Sequence, residues 1–203
     1  MQTENKLLMQ EAREALKGKW GVAIGTNLLY LVIVGGLQSI PRIGWIGTLI
    51  ISGPLAFGLS QFSLYIARNE EARIEQMVNG FQNFTRNFTS YLLIVIFTLL
   101  WTLCLIIPGI IASISYSMTF YILTEDDDIT PMAAIDKSKA MMQGHKLKFF
   151  YLCLWFLLLA LLSVVLTLGI GFLFLFPYIN VTTAKFYDDI KDVAIIYEDR
   201  SDL

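Results

Sequence analysis

The sequence predicts an all-α polytopic membrane protein, with six transmembrane helices arranged as three hairpins, each preceded by a cytoplasmic amphipathic helix. Three observations predict this. First, the 203 residues are 56% hydrophobic and 16% charged, with a mean hydropathy of +0.61. Soluble domains carry about 45–50% apolar and about 25% charged residues. Second, the apolar residues collect in runs at about 20–40, 43–67, 88–107, 109–123, 149–168 and 170–184. A helical run of roughly 20 residues crosses ~30 Å of hydrocarbon, where the backbone has to satisfy its own hydrogen bonds. Third, Arg42 is the only one of the 15 lysines and arginines placed in a connector between paired runs. Short loops rich in Lys and Arg stay in the cytoplasm, which puts both termini there.

Residues 1–19 place Leu8, Ala12, Ala15 and Leu16 on one helical stripe, with Glu11, Arg13, Glu14 and Lys17 around it. That pattern belongs to a helix lying along the inner surface. The segment lacks the short apolar core and small-residue cleavage site of a signal peptide. The first hairpin follows, turning at 38–42. A second polar segment sets Ile74, Met77, Val78, Phe81, Phe84 and Phe88 beside Arg73, Glu75, Asn83 and Arg86, again at helical spacing. The second hairpin turns at Pro108 and Gly109. Its legs, at about 18 residues and ~27 Å, barely span. The third polar segment starts with Glu125–Asp128, then Thr130 and Pro131. Thr130 is expected to cap a helix whose first residue is Pro131, with the acids at its positive end. Met132, Ile135, Met142 and Phe149 form its apolar row, interrupted by Lys139 and Lys146. The last hairpin turns at 168–171, and Pro54 and Pro177 are candidate kinks.

Landmarks recur at a nearly fixed step. Gly18, Gly80 and Gly144 are separated by 62 and 64 residues. Gly47, Gly109 and Gly171 recur every 62, as do Pro54, Tyr116 and Tyr178. Any six-helix chain with short turns gives similar spacing. A threefold repeat within one membrane domain (1–203) would have units 1–68, 69–124 and 125–187, followed by a short cytoplasmic tail at 188–203.

No acid falls within an apolar run, which argues against a proton- or sodium-coupled carboxylate relay. Uncharged polar groups remain, and their ordinary role is interhelical hydrogen bonding at ~0.6 kcal/mol each. A more specific reading has Asn27, Tyr116 and Asn180 converging on a polar pocket for a lipid headgroup or small solute. Lys137, Lys139, His145, Lys146 and Lys148 form the candidate contacts to anionic headgroups, worth ~1 kcal/mol per cation near the surface. His145 is the only histidine and has no second ligand at metal spacing. The run at 125–128 lacks the spacing of a calcium loop. Cys104 and Cys153 fall in apolar runs and are read as space-filling residues. No catalytic motif or cofactor-binding motif is present. A net charge of −2 without a basic tail argues against a nucleic-acid partner.

The run Ala15-Leu16-Lys17-Gly18-Lys19-Trp20, the run from Leu105 through Pro108-Gly109 to Ile111, and Tyr116-Ser117-Met118 resemble a known family. So do Met141-Met142 with Gly144-His145-Lys146, and Thr167-Leu168-Gly169-Ile170-Gly171 with Pro177-Tyr178. The family is the bacterial membrane proteins termed domain of unknown function 975. The resemblance covers almost the whole chain. It departs at Asp126–Asp128, where a proline is expected near the acids and Pro131 comes later. It implies a polytopic inner-membrane protein, with no established reaction and no catalytic residues.

Three functional classes follow. The first is a non-enzymatic protein that binds membrane lipids or a membrane-protein partner, itself included as a homo-oligomer, in envelope homeostasis or protection. The second is a small transporter, exporter or channel with a polar path near Asn27, Tyr116 and Asn180. The third is an enzyme acting on lipid, which would have to use Asp126–Asp128 and His145. The lack of charged groups in the apolar runs disfavours it.

Overall fold

The computed structural model describes residues 3–201, with side chains described as far as Lys191. Its helices are α1 (Asn5–Ala15), α2 (Trp20–Gln38), α3 (Gly44–Ala67), a 3₁₀ helix (Ile74–Phe81), α4 (Phe84–Cys104), α5 (Ile106–Tyr116), α6 (Thr119–Glu125), α7 (Pro131–Met141), α8 (Lys146–Thr167) and α9 (Phe172–Ser201). No strand occurs among the described residues. Five segments are long and apolar enough to cross a membrane: α2, α3, α4, the α5–α6 leg and α8. The sixth apolar run forms the start of α9, which is not among them. Polar and charged residues from Asn180 to Asp189 dilute it. The expected tail at 188–203 continues α9 as far as Ser201. Its last two residues lie outside the described part.

The legs differ in burial. Over an apolar 18-residue stretch of each, 56% of α3 and of the α5–α6 leg is buried, against 17% of α2, 11% of α4 and 17% of α8. α3 touches both α6 and α9, so these helices meet in the interior. α2, α4 and α8 face outward. Further contacts follow one cyclic order: α3 against α4, α5 against α8, and α9 against α2. The polar segments follow the same order. The 3₁₀ helix packs on α3, α7 on α6, and α1 on α9.

Between membrane helices little hydrophobic force acts, so close packing and small residues hold them together. Glycines permit the closest approaches. A Cβ on Gly58 would lie 2.1 Å from the Met77 carbonyl oxygen, and one on Gly80 would lie 2.0 Å from that of Pro54. These contacts seat the 3₁₀ helix on α3. They also leave Pro54 inside a continuous helix, as Pro177 is in α9.

Local details differ from the sequence reading for physical reasons. The second segment is a 3₁₀ helix over Ile74–Phe81, and α4 begins at Phe84. Within it Met77 is buried, while Ile74, Val78 and Phe81 are exposed. The second turn falls at Leu105, in extended conformation, and not at Pro108. Pro108 then occupies the first turn of α5, where a missing N–H removes no helical bond. Cys104 and Cys153 are exposed, because the helices carrying them turn those faces outward. Met132 is exposed as well, whereas Ile135, Met142 and Phe149 are buried. The α1 stripe of Leu8, Ala12, Ala15 and Leu16 is fully covered. Thr130 caps α7 by accepting the Ala133 N–H at 3.3 Å, with Pro131 first in the helix.

Candidate functional site

Charged groups meet at one end of the bundle. The Arg68 guanidinium, just past α3, lies 2.5 Å from Glu125 at the end of α6 and 2.6 Å from Asp188 on α9. Lys191 reaches the other oxygen of the Glu125 carboxylate at 2.7 Å, and the Tyr187 hydroxyl donates to that same oxygen at 2.6 Å. Glu125 therefore ties the end of α6 to the end of α3 and to the middle of α9. The hydrogen bond to Asp188 contributes most to holding Arg68 protonated well beyond its ordinary range, although burial opposes it. Beside this cluster is a polar pocket of about 340 Å³ that Gln61, Glu70 and Thr124 also line. Arg86 serves the same end differently. It donates to the carbonyls of Leu123, Asp126 and Asp127, closing the C-terminus of α6. The acidic run caps its own loop: Asp126 Oδ1 accepts the N–H groups of Asp128 and Ile129, both at 3.1 Å.

A second ion pair joins α8 to α9. Lys148 and Asp189 approach to 2.6 Å with both side chains largely covered. Asp189 also accepts the Thr3 N–H at 3.1 Å. Burial pushes its carboxyl upward, but the bonds from Lys148 and Thr3 outweigh this and hold it below the usual carboxylate range.

Of the three residues proposed as a polar pocket, two come together. The Asn180 amide donates to Asn27 Oδ1 at 3.1 Å, and Asn27 donates back to the Ala23 carbonyl at 2.8 Å. Tyr116 lies apart, packed with Ala112, Ile135 and Phe97. Tyr121, which the sequence did not single out, stands beside Asn180 instead, with its hydroxyl 3.4 Å from the Asn180 carbonyl. Most other intramembrane hydroxyls bond within their own helix, as Ser115 does to Ile111 and Thr182 to Tyr178. Ser138, on α7 outside the apolar runs, donates across to the Ser115 carbonyl at 2.8 Å.

The five candidate headgroup contacts divide. Lys148 is engaged with Asp189, and its ammonium lies 5.3 Å from the centre of the Phe186 ring. His145 is buried, and its Nδ1 lacks a partner among the described residues. Burial first, then the neighbouring Lys148, depresses its imidazole pKa, while Asp189 pulls the other way. Lys137 is exposed on α7. Lys139 and Lys146 share a groove of about 380 Å³ with Gln143, Tyr116, Ile111 and Trp101. The Lys139 ammonium sits 5.7 Å from the centre of the Tyr116 ring and pairs with Asp136 at 2.9 Å. The groove therefore combines cations at its polar end with an apolar wall running along α5.

A protein-family model described as "Protein of unknown function (DUF975)" matches the chain over residues 1–111 and 102–194. The chain belongs to this family. No curated protein and no solved structure matches it. Family membership thus agrees with the residues that carried the resemblance and assigns no activity. The chemical feature left to read is the groove that sets Lys139 and Lys146 beside apolar helices.

Proposed function

We propose that this DUF975 protein is a non-enzymatic, multi-pass protein of a bacterial inner membrane that binds anionic lipid through the groove of Tyr116, Lys139, Gln143 and Lys146. The observation that carries the reading is the juxtaposition of Lys139 and Lys146 with Ile111, Pro108 and Trp101 in one groove. A phosphate at the two ammonium groups gains ~1 kcal/mol per cation, and acyl chains cover the apolar wall. A role in envelope homeostasis or protection fits such binding. The pairing of Asn27 with Asn180 and the separation of Tyr116 from both supply no continuous polar path. This favours binding over the transporter, exporter or channel reading.

The same reading takes α9 as a sixth crossing, with the termini in the cytoplasm. Two observations support it: α9 packs along α2 and α3, and Asp188 and Lys191 meet Arg68 and Glu125. The cyclic order of contacts between hairpins supports three repeat units, 1–68, 69–124 and 125–187, about a pseudo-threefold axis.

The test is lipid retention by the purified full-length chain in detergent, read by native mass spectrometry with phosphatidylglycerol and phosphatidylcholine. The K139Q/K146Q variant is expected to retain phosphatidylglycerol roughly tenfold less well. Equal retention of the two lipids by the unaltered protein rejects the reading.

A further inference from the structure

A second groove lies where α1 crosses α8 and α9, with a volume of about 520 Å³. None of the candidate residues named from the sequence lines it. From α1 come Asn5, Lys6, Met9, Gln10 and Arg13. The acids Glu4, at the start of that helix, and Glu11 and Glu14 within it do not line it, so its α1 wall carries cations, amides and the Met9 thioether but no carboxylate. Neither Lys6 nor Arg13 has an ion-pair partner among the described residues. The opposite wall is formed by Tyr151, Leu154, Trp155 and Leu158 of α8, all substantially exposed. Tyr178 closes the floor and ties it to α1 by donating to the Met9 carbonyl at 3.1 Å.

Two further features indicate the occupant. Asn5 Oδ1 is buried without a hydrogen-bond partner among the described residues, while the amide nitrogen of the same side chain donates to the Lys148 carbonyl at 3.0 Å. A buried acceptor without a donor costs about 1–3 kcal/mol, so a ligand hydroxyl there restores a bond. The second feature is the correspondence with the groove of the proposed function. Arg13 and Lys139 each stand on a short helix beside a tyrosine of a returning leg, Tyr178 and Tyr116. At the remaining junction the 3₁₀ helix lies against α3, with the Met77 carbonyl beside Gly58 and the Pro54 carbonyl beside Gly80. Two of the three junctions therefore carry a basic groove.

We infer that the groove between α1, α8 and α9 holds an anionic glycerophospholipid whose headgroup carries a hydroxyl. Its phosphate lies at Lys6 and Arg13, its hydroxyl donates to Asn5 Oδ1, and an acyl chain runs over Trp155 and Leu158. Charge complementarity selects the anion. The depth of the apolar wall, from Tyr151 to Leu158, selects a lipid over a soluble phosphate ester. The inference extends the proposed function to separate residues, so either site can fail alone.

The experiment counts lipids bound to the full chain in detergent by native mass spectrometry, using phosphatidylglycerol, phosphatidylcholine and phosphatidylmethanol. The last keeps the charge and lacks the hydroxyl. The unaltered protein is expected to hold two phosphatidylglycerols, and K6Q/R13Q to lose one of them with affinity falling roughly tenfold. K139Q/K146Q leaves this site filled. Phosphatidylmethanol binds the α1 groove more weakly than phosphatidylglycerol, and soluble glycerol phosphate displaces neither lipid. An unchanged lipid count in K6Q/R13Q overturns the inference, as does displacement by glycerol phosphate. Equal binding of phosphatidylmethanol overturns the role given to Asn5. Since Lys6 and Arg13 make no ion pair among the described residues, folding failure is not expected. A thermal unfolding curve on each variant verifies this.

Discussion

The side-chain amide of Asn180 donates to the side-chain oxygen of Asn27 at 3.1 Å, joining α9 to α2 inside the bundle. The two residues are 153 positions apart, and Asn27 is buried. This bond ties the last long helix to the first. Hydrogen bonds between membrane helices average ~0.6 kcal/mol and reach ~1.7. Asn27→Ala and Asn180→Ala are each expected to destabilise by about 1 kcal/mol in reversible detergent unfolding. A double-mutant cycle is expected to return a coupling of about 0.6 kcal/mol. Strict additivity means that the bond carries no net energy.

Glu125 is the shared partner of Arg68 and Lys191. Their side chains are 34% and 35% exposed, so solvent screens much of the attraction. Glu125→Gln is expected to cost about 1–2 kcal/mol, because both cations lose the carboxylate charge and one of the two acceptor oxygens becomes an amide donor. Lys191→Gln removes one contact and is expected to cost less, about 0.5 kcal/mol. The order of the two unfolding midpoints is the measurement.

Gly80→Ala places a methyl group against the Pro54 backbone, which cannot yield as a side-chain tip can. A cost of about 3 kcal/mol or loss of the folded protein is expected. Gly36→Ala serves as the control, since nothing lies within 4 Å of that position. It is expected to be neutral or slightly stabilising. Equal thermal shifts in the two variants rule out close packing at Gly80.

The pH dependence has a definite sign. The imidazole pKa of His145 is depressed in the fold, so its contribution is complete above the ordinary histidine value of about 6.5. It declines as pH falls through the folded value, because the unfolded chain takes up the proton first. Asp189 adds a loss at more acid pH, below the ordinary carboxylate value of about 3.9. Unfolding midpoints followed from pH 7.5 to 5 are expected to fall, and His145→Gln to flatten that slope. An unchanged slope in the variant assigns the acid sensitivity elsewhere.

Several parts of this arrangement were readable along the chain. Thr130 followed by Pro131 marks a helix start by short-range geometry alone. Gly18 and Gly144 end their polar segments with φ of +78° and +77°, a conformation glycine adopts without strain. Other features required distant partners. Arg68 reads as a cation at a helix end, but its carboxylates lie 57 and 120 residues away. Tyr121 and Asn5 carry no local signal, since their roles depend on which helix passes beside them. The grooves were partly legible: Lys139, Lys146 and Tyr116 were marked as candidates, but for separate sites.

Residue chemistry alone determined that this chain is helical and apolar enough for a membrane, and where its polar segments interrupt the helices. Hydrocarbon rejects unpaired backbone groups whatever lies alongside, so length and hydropathy suffice for that much. Tertiary structure decided which faces meet protein and which are left outward. Apolar 18-residue stretches of α2 and α3 have nearly equal hydropathy, 1.7 and 1.5, yet 17% of one and 56% of the other is buried. A side chain suited to lipid is equally suited to a protein interior, so the choice fell to packing: close approach at glycines, one carboxylate shared by two cations, and a pair of amides across the bundle.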